Sequence, residues 1–322
     1  MFIVIPASVL IILLCLSLIL LRVNLSGAVA QDIRDPEKLK GTRLEKYAAQ
    51  LGRDSASLSE RCGYDVCVVS RDGTKLYGTM YPAEGPDTVL LAHGYRSSGI
   101  NDFCGIALWY LERGFSVLMI DERAHQRSGG RYITFGIRER YDMLKWIGFL
   151  KTKTEERIWL HGVSMGAASL LMALPLCKGI EISGIVADST FDNVYELLTY
   201  QLNRRYHVPV WIGSFLMRAA GYILIGREAA YLYPSECLRE SGIRALVIHG
   251  DRDATVPPGM HDRFASVPNA DARIVPGARH ALCWAEDPKG YAELMDEFIF
   301  NPSDPGEDRP VLPGSVFSSE GA

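Results

Sequence analysis

The stretch that most constrains the fold is Arg157–Ala168, which reads Arg-Ile-Trp-Leu-His-Gly-Val-Ser-Met-Gly-Ala-Ala. A short apolar run, a turn and a small-residue, leucine-rich stretch towards Cys177 predict strand, sharp bend and helix in that order. Inside it, Gly162-x-Ser164-x-Gly166 fits the strand-to-helix turn that lifts one side chain clear of the backbone. Such a turn leaves little room on either side of its central residue, so glycines relieve the crowding. The helix that follows aims free N–H groups and its positive dipole end at that residue. Ser164 is therefore the candidate nucleophile. The bare pattern is common in glycine-rich loops, and the flanking strand and helix give it meaning here.

Around this stretch, strands and helices alternate. Tyr64–Ser70, an Asp-Gly turn and Thr74–Tyr81 predict a hairpin. Apolar runs at 88–92, 115–120, 182–187 and 245–249, with a last strand at 272–275, predict buried parallel strands. Helices are expected at 102–113, over a face with Ile137, Tyr141, Leu144 and Ile147, and at 288–300. The pattern predicts an α/β fold, a mostly parallel doubly wound sheet behind an antiparallel N-terminal hairpin. Residues 61–300 form this domain. Between Thr190 and Gly242 no strand is expected; Phe191–Tyr206 and Val208–Ile225 read as helices of a cap, about 191–242, inserted before the strand at 245.

In such sheets the chemistry sits at the carboxyl ends of strands. A serine hydroxyl needs a base, and the base needs a group that fixes its tautomer. His280, after the final strand, is the candidate base. Candidate acids are Asp251 and Asp253, in the loop after the strand at 245, and Asp188 at the end of the strand before the cap. An acyl-transfer intermediate also needs two oxyanion donors, which the backbone N–H groups of Tyr95 and Met165 would supply.

The ends of the chain read differently. Phe2–Leu21 carries no charged residue and has about the length of a ~20-residue membrane span. Residues 1–21 are thus a transmembrane anchor or an uncleaved signal, with Ala28-Val29-Ala30 as a rival cleavage site. Arg22, Arg34, Lys38, Lys40, Arg43 and Lys46 follow the run, which would leave the remainder on the cytoplasmic side. Residues 22–60 are expected to be a polar connector with one amphipathic helix over Leu39, Leu44, Tyr47, Ala48 and Leu51, and 301–322 a disordered tail. A net charge of −4 without a basic block gives no nucleic-acid footprint. Seven scattered cysteines and seven histidines form no metal or redox spacing, so no metal or organic cofactor is expected.

Five segments, LLAHGYRSS (90–98), GFSVLMIDERAHQRSGG (114–130), LHGVSMGAAS (160–169), VIHGDRDATVP (247–257) and PGARHA (276–281), carry a resemblance. The chain from about Tyr64 to Phe300 resembles the α/β-hydrolases of the serine aminopeptidase-like (S33, "hydrolase 4") group, and more closely the membrane-anchored bacterial hydrolases of the YqkD-like type. The resemblance implies that the acid is Asp253, the second aspartate of its G-D-x-D run. Relatives usually read D-x-R-G-H-G-x-S where this chain has Asp121–Ser128, with Ala124 and Gln126 in place of the glycines. That substitution changes a loop beside the oxyanion site.

The reading that follows is a serine hydrolase of carboxylic esters, its substrate a small ester or acylated molecule, attached to the membrane by its N-terminal helix. Two alternatives stand beside it. A peptidase would need an acidic cluster for the substrate ammonium; a membrane-tethered binding protein would have lost turnover.

Overall fold

The computed structural model describes residues 7–27, 30, 32–153 and 157–300. Helix α1 (Ala7–Leu25) and α2 (Ala48–Ser59) precede the hairpin β1 (Tyr64–Val69) and β2 (Lys75–Tyr81). Then come β3 (Asp87–Ala92), α3 (Gly99–Glu112), β4 (Ser116–Ile120), α4 (Glu139–Lys153), β5 (Arg157–Val163), α5 (Met165–Ala173) and β6 (Ile182–Asp188). Helices α6 (Val194–Tyr206), α7 (Val210–Leu224) and α8 (Pro234–Ser241) lead to β7 (Ala245–Gly250), α9 (Pro258–Ala265), β8 (Ala270–Val275), α10 (Cys283–Glu286) and α11 (Pro288–Phe300).

The eight strands form one sheet in the order β1-β2-β4-β3-β5-β6-β7-β8. β1 and β2 pair antiparallel, as do β2 and β4, and every later pairing is parallel. The predicted parallel sheet with an antiparallel N-terminal hairpin is what the chain forms. Its central strands are buried on both faces, which is why they read as unbroken apolar runs. Their side chains alternate between two cores. Val89 and Leu91 pack with Phe103, Tyr110 and Tyr291 on one face; Leu90 and Ala92 pack with Trp146, Leu150 and Leu170 on the other.

Three expectations need correction. Residues 32–60 do more than connect: Ile33, Leu39, Tyr47, Leu51 and Leu58 are buried in the first core, with α2 laid against α3. In α4 the buried face is set by Met143, Trp146, Ile147 and Leu150, while Tyr141 and Leu144 are only half-buried. Buried Asp142 explains the offset, because its carboxylate is paired with Arg123. Finally, α8 belongs to the core layer rather than the cap, since Leu238 is buried in the second core and α8 packs on α5.

Helix α1 lies along the cap helix α7. Both present apolar side chains to the outside, Leu16 and Ile19 from one and Trp211 and Ile223 from the other. Among the described residues no helix is long and apolar enough to cross a membrane; residues 2–6 of the predicted span, and the whole tail from 301, lie outside them.

Candidate active site

At the carboxyl end of β5 the chain turns sharply, with Ser164 at φ 53° and ψ −112°. This left-handed backbone on a non-glycine residue costs about 1–3 kcal/mol and persists only where its surroundings enforce it. They do: the Ser164 N–H donates to the Asp188 carbonyl at 2.7 Å, and its own carbonyl accepts the first helical bond, from Ala168 at 3.0 Å. A Cβ on Gly166 would overlap the Ala92 carbonyl and one on Gly162 would overlap the Ala167 backbone, so both glycines are sterically required.

The predicted side chains meet across the sheet. Ser164 Oγ lies 2.9 Å from His280 Nε2, and His280 Nδ1 lies 2.7 Å from Asp253 Oδ2. Since the carboxylate accepts from Nδ1–H, Nε2 is free to accept the serine proton. The other Asp253 oxygen accepts the backbone N–H groups of Thr255 and Val256 at 2.7 and 3.0 Å. Burial alone would raise the Asp253 pKa, but the neighbouring imidazoles of His249 and His280 hold it below the usual carboxylate range. His249 Nε2 sits 3.1 Å from Asp253 Oδ2 without hydrogen-bond geometry, so His280 is the better-placed partner.

The rival acids have other tasks. Asp251 accepts the Gly277 N–H at 2.6 Å, bracing the loop that carries His280. Asp188 accepts the Ser189 hydroxyl at 2.7 Å, and Ser189 Oγ in turn accepts the Ala281 N–H at 3.0 Å. Both carboxylates hold the His280 loop from outside the Ser–His–Asp chain.

Tyr95 and Met165 flank Ser164. Neither backbone N–H is taken by another group among the described residues, which leaves both free for an oxyanion. The loop carrying Tyr95 passes close: a Cβ on Gly94 would come within 3.4 Å of Ser164 Cβ. Two histidines shape it. His93 Nε2 accepts the Glu122 N–H at 3.1 Å and His125 Nε2 accepts the Arg96 N–H at 3.0 Å, so each ring carries its proton on Nδ1, donated to a backbone carbonyl. Burial pushes these imidazoles down to about 4 and about 3, and both stay neutral as acceptors.

The altered loop at 121–130 keeps the path that glycines would allow. Ala124 and Gln126 sit at φ 59° and 43°, in the left-handed region. Of the eight non-glycine residues with positive φ among those described, seven lie in loops that follow strands around Ser164, and the eighth, His207, caps a helix. Backbone strain is thus gathered at this end of the sheet. Arg123 anchors the loop from below, with buried bonds to Asp142 at 2.5 and 2.7 Å and a part-buried one to Asp72 at 2.9 Å.

A cavity of about 360 Å³ opens at Ser164 and His280. Its apolar wall includes Leu44, Phe135, Phe191 and Leu197, and its polar wall carries Arg43 and Arg96. The segment before the hairpin builds much of this wall, a contribution the sequence reading missed. The Tyr95 hydroxyl donates to the Asn24 carbonyl at 2.6 Å, Arg96 Nη2 to the Val23 carbonyl at 3.0 Å, and Arg43 Nη1 to the His280 carbonyl at 3.0 Å. Asp102 was missed too; it accepts the Gly94 N–H and the Ser97 hydroxyl at 2.7 and 2.6 Å, fixing the turn before Tyr95.

Comparison with solved structures agrees with this architecture. The esterase Pf2001 of Pyrococcus furiosus superposes with a TM-score of 0.59 at 27% identity, over 76% of this chain and 93% of that one. The protein is an α/β-hydrolase. At the level of fold, an α/β-hydrolase GrgF from Penicillium matches with a TM-score of 0.57 at 16% identity, over 74% of this hydrolase and 97% of its own chain. Among curated proteins, the uncharacterized protein YqkD of Bacillus subtilis is 28% identical over 285 residues, 86% of this chain and 89% of its own. No family model matches the hydrolase.

Proposed function

We propose that this hydrolase is a serine esterase acting through an acyl-enzyme. Ser164 Oγ attacks the ester carbonyl while His280 takes its proton, and the N–H groups of Tyr95 and Met165 hold the developing oxyanion. Collapse breaks the carbonyl–alkoxide bond, and His280 returns the proton to the leaving oxygen. Water, deprotonated by His280, then releases the carboxylic acid and restores Ser164. Asp253 fixes the His280 tautomer and stabilises the imidazolium. The observation that carries the reading is the chain of 2.9 and 2.7 Å contacts from Ser164 through His280 to Asp253.

The cavity speaks for esters over aminoacyl substrates. An ammonium would face Arg43 and Arg96, and the carboxylate in the wall, Asp102, already serves Gly94 and Ser97. Its volume of about 360 Å³ favours small acyl groups, being near the low end of the ~300–1,000 Å³ range of small-molecule sites. Short-chain p-nitrophenyl esters should be turned over and aminoacyl arylamides should not. Ser164→Ala or His280→Ala should lower kcat by about 10³-fold or more; arylamide turnover dependent on Ser164 would move the reading to a peptidase.

The same reading includes membrane attachment through the N-terminal apolar run, the catalytic domain facing the cytoplasm. Apolar side chains exposed on α1 support it. Full-length protein should float with liposomes, and a chain lacking residues 1–25 should stay in the load fraction; equal behaviour would rule out the anchor.

A further inference from the structure

Beside the catalytic cavity lies a second one of about 540 Å³, and Thr42 and Arg43 line both. Four cations, Arg43, Lys46, Arg252 and Arg279, face it against two carboxylates, Glu45 and Glu286. Those carboxylates are already engaged. Glu286 is held by Lys46 Nζ at 2.8 Å from each oxygen and by the Tyr47 hydroxyl, and Glu45 accepts the Gly41 N–H at 2.9 Å. Arg252 and Arg279 are exposed and form no salt bridge among the described residues, while Arg43 donates to the His280 carbonyl. Four cations against two carboxylates leave the cavity with an excess of two positive charges, and three of the cations are guanidinium groups.

The position gives this charge its use. Arg43 lines both cavities and donates to the His280 carbonyl, and Arg279 precedes His280 in sequence, so the second cavity adjoins the catalytic one at the loop that carries His280. His280 hands its proton to the departing oxygen, and the alcohol leaves on that side. We propose that the second cavity is an anion subsite for the leaving group: the substrate is a carboxylic ester of an alcohol that carries a phosphate or carboxylate a few bonds away. The planar fork of arginine matches both anions and binds either with two parallel hydrogen bonds. The proposal rests on the esterase reading and names its substrate class.

Two measurements test it separately. In the first, the butyrate ester of 3-hydroxypropyl phosphate and that of 4-hydroxybutanoate are compared with propyl butyrate. The better anionic ester should show a KM about tenfold or more below the neutral one, kcat changing less, with the advantage shrinking as salt rises. The Arg252→Ala/Arg279→Ala variant should lose about tenfold of that preference, and the corresponding double lysine variant should keep part of it. Equal KM values, or a preference untouched by the double alanine variant, would overturn the subsite. Which anionic ester is favoured separates phosphate from carboxylate. In the second, propyl phosphate and butanoate are titrated calorimetrically into Ser164→Ala protein, where turnover plays no part. Saturable binding weakened about tenfold by the two alanines is expected. No binding would overturn the subsite even if esters are cleaved. Binding without any ester turnover would instead sink the esterase reading and leave the anion site standing.

Discussion

Gln126→Gly should stabilise the protein. Gln126 holds φ 43° and an exposed side chain, in a loop whose path is imposed by its neighbours. Those constraints are the Ala124 N–H to Gly129 carbonyl bond at 2.8 Å, the Ser128 N–H to His125 carbonyl bond at 2.9 Å, and the Ser128 hydroxyl to Asp121 carbonyl bond at 2.6 Å. A left-handed non-glycine residue costs roughly 1–2 kcal/mol. Glycine removes that strain but adds about 0.5–1 kcal/mol of chain entropy to the unfolded state. The net expectation is a gain of about 0.5–1 kcal/mol. Ala124→Gly is the contrast: its φ of 59° is as strained, but its methyl is buried, and losing about 0.8 kcal/mol of burial should leave it near neutral. Urea denaturation followed by tryptophan fluorescence measures both. A loss of about 1 kcal/mol for Gln126→Gly, as at an ordinary backbone position, would refute the strain argument.

Two further outcomes concern pH. Burial pushes His161 down to about 3 and His261 to about 4, as it does His93 and His125. The unfolded chain then binds more protons below its ordinary histidine value, so stability should fall as pH drops from about 6.5 to about 4, by about 3 kcal/mol for His93 alone. His161→Gln should flatten the urea midpoint against pH, and an unchanged slope would contradict the assignment. Glu122 works in the opposite sense. Both its carboxylate oxygens are buried without a partner among the described residues, and burial, then the charges of Glu139 and Asp142, raise its pKa. Its contribution is present below the ordinary glutamate value and lost as pH rises, so Glu122→Gln should raise the midpoint at pH 8 and leave it unchanged near pH 4.

The sequence exposed the parts of the fold in which local chemistry and final environment coincide. β3, β4 and β7 carry unbroken apolar runs because helices cover both faces. Ser164 and its two glycines are legible because one tight turn demands all three. Asp253 was chosen over Asp251 and Asp188 by resemblance alone, since all three follow strands and only the packed loops distinguish their partners. Arg43 was hidden for a different reason. Its place in the pocket wall comes from Leu39, Tyr47 and Leu51 docking on the core beside α3, a surface assembled from residues distant in sequence. The face of α4 was misplaced because apolar spacing ignores Asp142, whose burial depends on Arg123. At 121–130 the missing glycines suggested a different loop, yet the surrounding hydrogen bonds impose a left-handed backbone on alanine and glutamine.

Reaction with a fluorophosphonate probe tests the central claim most directly, because it reads nucleophile and base together. The account predicts stoichiometric labelling of the native protein at Ser164, abolished in Ser164→Ala and slowed by about 10³-fold or more in His280→Ala. Labelling of Ser164→Ala at the native rate, or none of the native protein while it remains folded, would contradict it.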